Sequence, residues 1–159
     1  MKELTEKEAL CKAAAYCSAS EHCLSEIASK LKGWGMSADE QERILQQLVQ
    51  ERYIDESRYA RFYVNDKFRF NQWGRTKIAM SLKQKGIDSG TYSEWLDAIP
   101  EDEYLAVLRE LLQAKQRSVK ARNEYELNGK LIRFALGRGY EMSAIRRCLP
   151  QADEYPEMD

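Results

Sequence analysis

The sequence predicts an all-α protein: three tandem three-helix repeats forming an elongated curved array. One observation is a pattern that occurs three times, in Glu26–Met36, Lys77–Ile87 and Lys130–Tyr140. In each, an apolar residue stands eight positions before a glycine, an apolar residue or alanine stands four before it, and an apolar residue follows it (Ile27, Leu31, Gly35, Met36; Ile78, Leu82, Gly86, Ile87; Leu131, Ala135, Gly139, Tyr140). The second observation is the spacing of these stretches, about fifty residues, which suits a unit of three short helices. The third is helical hydrophobic periodicity along nearly the whole chain, with no segment that alternates as a strand does. The repeats are placed at 1–52, 53–99 and 100–150, with an acidic tail at 151–159. Units of this kind bury their faces on neighbours and leave long outer surfaces, which favours binding over catalysis.

In the first repeat, Leu10, Ala13, Ala14 and Cys17 fall at i, i+3, i+4, i+7, and Leu24, Ile27, Ala28 and Leu31 repeat that spacing on a second helix. Ser20 is placed as the N-cap of the second helix, and Gly35 as the left-handed residue that ends it. Ser37 with Glu40 reads as a capping box opening a third helix that buries Ile44, Leu45, Leu48 and Val49.

The second repeat opens at Asp55, an N-cap, followed by an aromatic helix carrying Tyr59, Phe62, Tyr63 and Phe70. The spacing puts Tyr59, Phe62 and Tyr63 in the core. A polar turn at Asn71 to Gly74 leads into a helix burying Ile78 and Leu82 and ended by Gly86, and Asp88 caps the next, with Tyr92, Trp95, Leu96 and Ile99 inward. Pro100 suits the start of the third repeat, where a missing amide proton costs nothing. Its stripes are Tyr104, Val107, Leu108, Leu111 and Leu112, then Leu127, Leu131, Phe134 and Ala135, then Met142, Ile145 and Leu149 before Pro150.

Formal net charge is −1, but the charges lie in blocks. Residues 58–87 carry eight Lys/Arg against Asp66 alone, and residues 113–148 carry nine against three. The blocks between and around them are acidic. Such asymmetry points to a basic surface used locally. Aligning the repeats on their glycines sets Lys77 opposite Lys130 and Lys85 opposite Arg138, while Glu26 and Trp34 hold those positions in the first repeat. A basic ridge on the second and third repeats follows from stacking in register. The candidate partner- or DNA-binding residues are Lys67, Arg69, Arg75, Lys77, Lys85, Lys130, Arg133 and Arg138. Phosphate and acidic protein patches both fit such a ridge, and without a base-reading signature any DNA contact is expected to lack sequence specificity.

Catalysis has little to work with. His22 is the single histidine, no nucleophile is arranged with a base, and no phosphate-binding loop occurs, so no cofactor or metal is expected. The four cysteines (Cys11, Cys17, Cys23 and Cys148) have no zinc-site spacing and read as reduced packing residues. The charged start from Met1 to Glu8 and the lack of a long apolar run predict a cytoplasmic protein with no membrane contact. A monomer is expected, although no sequence feature fixes the oligomeric state.

Tyr53-Ile54-Asp55-Glu56-Ser57-Arg58-Tyr59-Ala60, then Trp73-Gly74-Arg75, then Ile78 through Ile87 resemble the RecX family of RecA regulators, and Leu131 through Tyr140 is similar to the basic, glycine-terminated last repeat of that family. The resemblance implies a non-enzymatic modulator that lies in the groove of the RecA–DNA filament and limits its activity in recombination, ATP hydrolysis and the SOS response. Two other classes use small helical units: a helix-turn-helix-like DNA-binding protein and a helical protein-interaction scaffold.

Overall fold

The computed structural model describes residues 4–149; Pro150 and the acidic stretch 151–159 lie outside the described residues. Among the described residues there are nine α-helices and no strand: α1 (Glu6–Ala19), α2 (Leu24–Gly33), α3 (Ala38–Gln50), α4 (Glu56–Arg69), α5 (Arg75–Gln84), α6 (Ser89–Asp97), α7 (Glu101–Ser118), α8 (Glu124–Gly137) and α9 (Met142–Cys148). None is long and apolar enough to cross a membrane.

The recurring glycines act as the sequence requires. Gly35, Gly86 and Gly139 all have positive φ (85°, 81° and 96°). At each, the residue after the glycine donates its N–H to a carbonyl five positions back (Met36 to Leu31, Ile87 to Leu82, Tyr140 to Ala135), while the glycine N–H goes to a carbonyl three back. These are three Schellman terminations at equivalent repeat positions. The apolar residues of the pattern are all buried: Ile27, Leu31 and Met36, Ile78, Leu82 and Ile87, Leu131, Ala135 and Tyr140. Arg52 takes the same left-handed role after α3, with φ 64°.

Starts are equally well marked. Thr5 and Ser37 form capping boxes with Glu8 and Glu40. Asp55 accepts from Arg58 N–H, Asp88 from Gly90 N–H and Asn123 from Glu126 N–H. Pro100 immediately precedes α7.

The described residues gather into two compact units, 4–63 with 81–93, and 64–80 with 94–149. In the first, α1, α2 and α3 pack on one another around Ala9, Ala13, Cys17, Ile27, Leu31, Ile44, Leu48 and Ile54. In the second, α7, α8 and α9 pack together, and a column of rings runs from Phe68 to Tyr104 to Tyr140, with centroid separations of 5.7 and 5.1 Å. Helices α4, α5 and α6 each contribute residues to both units.

Several sequence expectations are corrected. Ser20 does not cap α2: it ends α1, and α2 starts from Cys23, whose N–H donates to Glu26. Phe62 is 59% exposed. The stripe of α4 runs through Ala60, Val64 and Phe68, all buried, and at about 100° per residue Phe62 points some 160° away from Val64. Phe70 lies beyond the end of α4 and is 83% exposed. Val49 is 46% exposed, one step round α3 from the buried Ile44–Leu48 row. Cys11 is exposed rather than packed, whereas Cys17 and Cys23 are buried; the cysteines of the chain are free thiols.

Candidate functional site

The second unit brings three of the candidate cations to one turn. Helix α4 ends at Arg69, residues 70–74 reverse the chain, and α5 begins at Arg75. Within the turn Gln72 has φ 58°, an unusual value for a side chain of its size, and its carbonyl accepts from the Tyr140 hydroxyl at 2.9 Å. The glycine-terminated end of α8 docks directly on this turn. Gly74 N–H donates to the Arg138 carbonyl at 2.8 Å and Thr76 N–H to the Gly139 carbonyl at 3.0 Å. Neither glycine has room for a side chain: a Cβ on Gly74 would sit 2.4 Å from the Gly139 carbonyl carbon, and one on Gly139 would sit 2.3 Å from the Lys77 Cβ.

This close approach sets the cations. Trp73 donates its N–H to the Lys67 carbonyl, and its ring is approached by Lys67 Nζ at 5.1 Å and Lys77 Nζ at 4.6 Å from the centroid. The Arg138 guanidinium donates to the Asn71 carbonyl. Lys67, Lys77 and Arg138 are therefore held around one indole and one turn, half-buried rather than swinging freely. Phe70, in the same turn, presents its ring to solvent.

The other candidates are placed differently. Arg75 is drawn into the fold: it donates to the Leu96 and Ile99 carbonyls, lies over the Tyr104 ring and approaches Glu101 and Glu141 at 3.5 Å. Arg69 pairs with Glu103. Lys130 donates to the Lys120 carbonyl at 2.6 Å and pairs with Glu126 at 3.2 Å, beside the exposed Arg133 on α8. Lys85 belongs to the first unit, 3.5 Å from Glu26. Burial opposes ionisation of Glu26, but the Cys23 N–H and Lys85 prevail and hold its carboxyl below the usual carboxylate range. The glutamate standing opposite Lys77 in the repeat alignment thus serves as the partner of Lys85.

Sequence reasoning missed Trp73 as the organiser of the cations and Lys115 and Lys120 as neighbours of Lys130. Trp73 lies outside the helices, six residues after Lys67 and four before Lys77, so no periodic pattern links the three.

Profiles of two RecX domains match this chain: the second three-helix domain over residues 55–96 and the third over residues 101–149. A protein from Herminiimonas arsenicoxydans named regulatory protein RecX is 30% identical over 139 residues, covering 87% of this chain and 89% of that protein. The chain belongs to the RecX family. Another regulatory protein RecX, from Clostridium acetobutylicum, is 31% identical over 69% of this chain and 52% of its own length, so the chain spans about half of that longer relative. The fold is shared with a crystal structure of RecX from Lactobacillus salivarius, with a TM-score of 0.80 at 20% identity over 94% of this chain and 97% of that one. A second crystal structure of a regulatory protein RecX also gives 0.80, at 22% identity over 90% of this chain and 72% of that chain. The RecX profiles cover the Trp73 turn, α7 and α8, so the docked turn and its cations lie within RecX-type domains.

Proposed function

We propose that this RecX-family chain is a non-enzymatic regulator that binds the RecA–DNA filament and inhibits its ATPase, recombination and SOS activities. The observation that carries the reading is the gathering of Lys67, Lys77 and Arg138 around the Trp73 turn, inside the domains that match the RecX profiles. Cations already seated against an indole and a backbone carbonyl lose little side-chain freedom when a phosphate or a carboxylate reaches them. Because the filament exposes both nucleic acid and protein, the same face serves a sequence-independent DNA contact and an acidic protein patch. Regulation rather than chemistry also agrees with the names of the relatives. The protein acts as a cytoplasmic monomer.

The test is RecA-dependent ATP hydrolysis and strand exchange on single-stranded DNA with purified protein added. Inhibition at substoichiometric ratios is expected, with no nucleotide hydrolysis by the protein alone. No effect across a wide concentration range would remove the filament reading, and turnover that survives repurification would make the protein an enzyme.

A further inference from the structure

Phe70 follows the last residue of α4, and its ring stands almost wholly in solvent. Single exposed apolar residues are common and by themselves carry no meaning. This one differs in the backbone beneath it and in the charge beside it. The Phe70 N–H donates to the Asp66 carbonyl at 2.9 Å, the Asn71 carbonyl receives the Arg138 guanidinium, and the Gln72 carbonyl receives the Tyr140 hydroxyl. Gln72 is kept at φ 58°, a left-handed conformation unfavourable for any residue with a side chain. The ring is therefore mounted on a fixed turn, and little freedom is lost when a flat partner lies on it.

Lys77 lies over the Trp73 indole and Arg138 on the Asn71 carbonyl, and neither is paired with a carboxylate among the described residues. An indole face and a carbonyl hold a cation in place without neutralising it, so both charges remain available to an anion. Arg69 adds nothing here, because it is committed to Glu103. Asp66, one turn before Phe70, is the single acid of the 58–87 stretch against eight cations. A ring beside fixed cations is the combination that single-stranded nucleic acid meets, with unpaired bases stacking on the aromatic face and phosphates tracking the charges. A protein partner would need an apolar pocket and separately placed acids to meet the same residues, whereas each unpaired nucleotide carries both groups.

We infer that Phe70 is a stacking platform for an unpaired base of a single-stranded nucleic acid whose phosphates contact Lys77 and Arg138. This deepens the reading of the Trp73 turn as a binding face, on which it rests. It adds the class of strand, single rather than double, because the faces of paired bases are already covered by their neighbours in a duplex. No particular base is selected, since every base has a face to stack.

The experiment measures binding of the intact chain, with no RecA present and at one salt concentration, to three fluorescent probes of equal length: a deoxyadenosine oligonucleotide, an abasic strand and a blunt duplex. The parent is expected to bind the deoxyadenosine strand more tightly than the abasic one. F70A should weaken binding of the deoxyadenosine strand about five-fold or more, leave the abasic strand and the duplex unchanged, and keep the parental melting temperature, while F70Y retains the parental preference. Equal affinity of the parent for the base-bearing and abasic strands overturns the platform, as does an F70A change that is absent or the same for both. Loss of RecA-filament binding in F70A with oligonucleotide binding intact makes Phe70 an anchor for a protein pocket and overturns it equally. A parent that binds none of the probes overturns it too, but leaves the acidic protein patch of the functional reading standing. Failure of RecA inhibition, in turn, leaves a positive oligonucleotide result intact.

Discussion

Arg75 and Tyr104 hold each other twice: the Arg75 N–H donates to the Tyr104 hydroxyl at 3.0 Å, and the Arg75 guanidinium lies 3.9 Å from the centroid of the same ring. The hydroxyl in turn donates to Glu141. One phenol thus satisfies the first amide of α5 and ties it to α7 and the start of α9. Tyr104→Phe keeps the ring and its stacking but strands the Arg75 N–H and leaves Glu141 only its 3.5 Å approach to the Arg75 guanidinium. A loss of about 1 to 3 kcal/mol is expected in chemical denaturation. An unchanged midpoint would mean that water replaces the hydroxyl at no cost.

Two glycines only two residues apart should respond in opposite ways. Gly137 is helical and a Cβ there meets nothing within 4 Å, so Gly137→Ala should be neutral or stabilising by up to about 1 kcal/mol. Gly139 has φ 96° and a Cβ would strike Lys77, so Gly139→Ala should be destabilising by more than about 1 kcal/mol. Thermal melts of the two variants beside the parent decide it. Equal changes would mean that the turn and the end of α8 do not meet as described.

The repeat grammar was legible because it is local. A glycine that must adopt positive φ, with apolar residues eight and four positions before it, specifies a helix face and its end without reference to anything distant, and Ile27, Leu31, Ile78, Leu82, Leu131 and Ala135 all fall where the pattern puts them. The misplacements came where two local rules competed. In α4 the aromatic positions offered one stripe and the smaller Ala60 and Val64 another, and packing chose the second. Ser20 is a better cap by composition than Cys23, but Glu26 returning to the Cys23 N–H sets the start of α2. For the candidate site, charge blocks drew attention to the segments that carry Lys67, Lys77 and Arg138. They gave no sign that Arg75 would turn inward, because the carbonyls of Leu96 and Ile99 that receive it lie more than twenty residues away.

Tyr59, Tyr104 and Tyr140 should resist alkaline titration. Burial is the largest cause in each case, and all three phenols ionise well above the ordinary tyrosine value near 10. Their pKa is raised in the folded state, so the stability they contribute is fully present below pH ~10 and is lost as pH rises above it. Absorbance at 295 nm should show three of the nine tyrosines failing to ionise until the protein unfolds, with melting temperature falling over the same range. Smooth ionisation of all nine in the folded protein would contradict the burial of the Phe68–Tyr104–Tyr140 column.

Position should outweigh total charge in binding. Lys67→Glu with Lys77→Glu changes net charge as much as Lys30→Glu with Lys32→Glu, but only the first pair faces Trp73. Filament or oligonucleotide binding is expected to fall far more for the first pair. The log–log salt dependence of any DNA component should flatten by roughly 0.7 to 0.9 per phosphate contact removed. Equal losses from both pairs, measured on variants with parental melting temperatures, would reduce the Trp73 cluster to a general electrostatic background.

The chain repeats in three but packs in two, because α4, α5 and α6 each give residues to both compact units. Shortening such a protein by whole repeats is consequently not a neutral operation. Cutting away residues 1–52 strips the first unit of α1, α2 and α3 and leaves buried positions such as Tyr59 and Leu82 without the greater part of the unit they belong to. Copies of the middle repeat are not spare parts: an inserted or deleted one must arrive with both ends already matched to its surroundings.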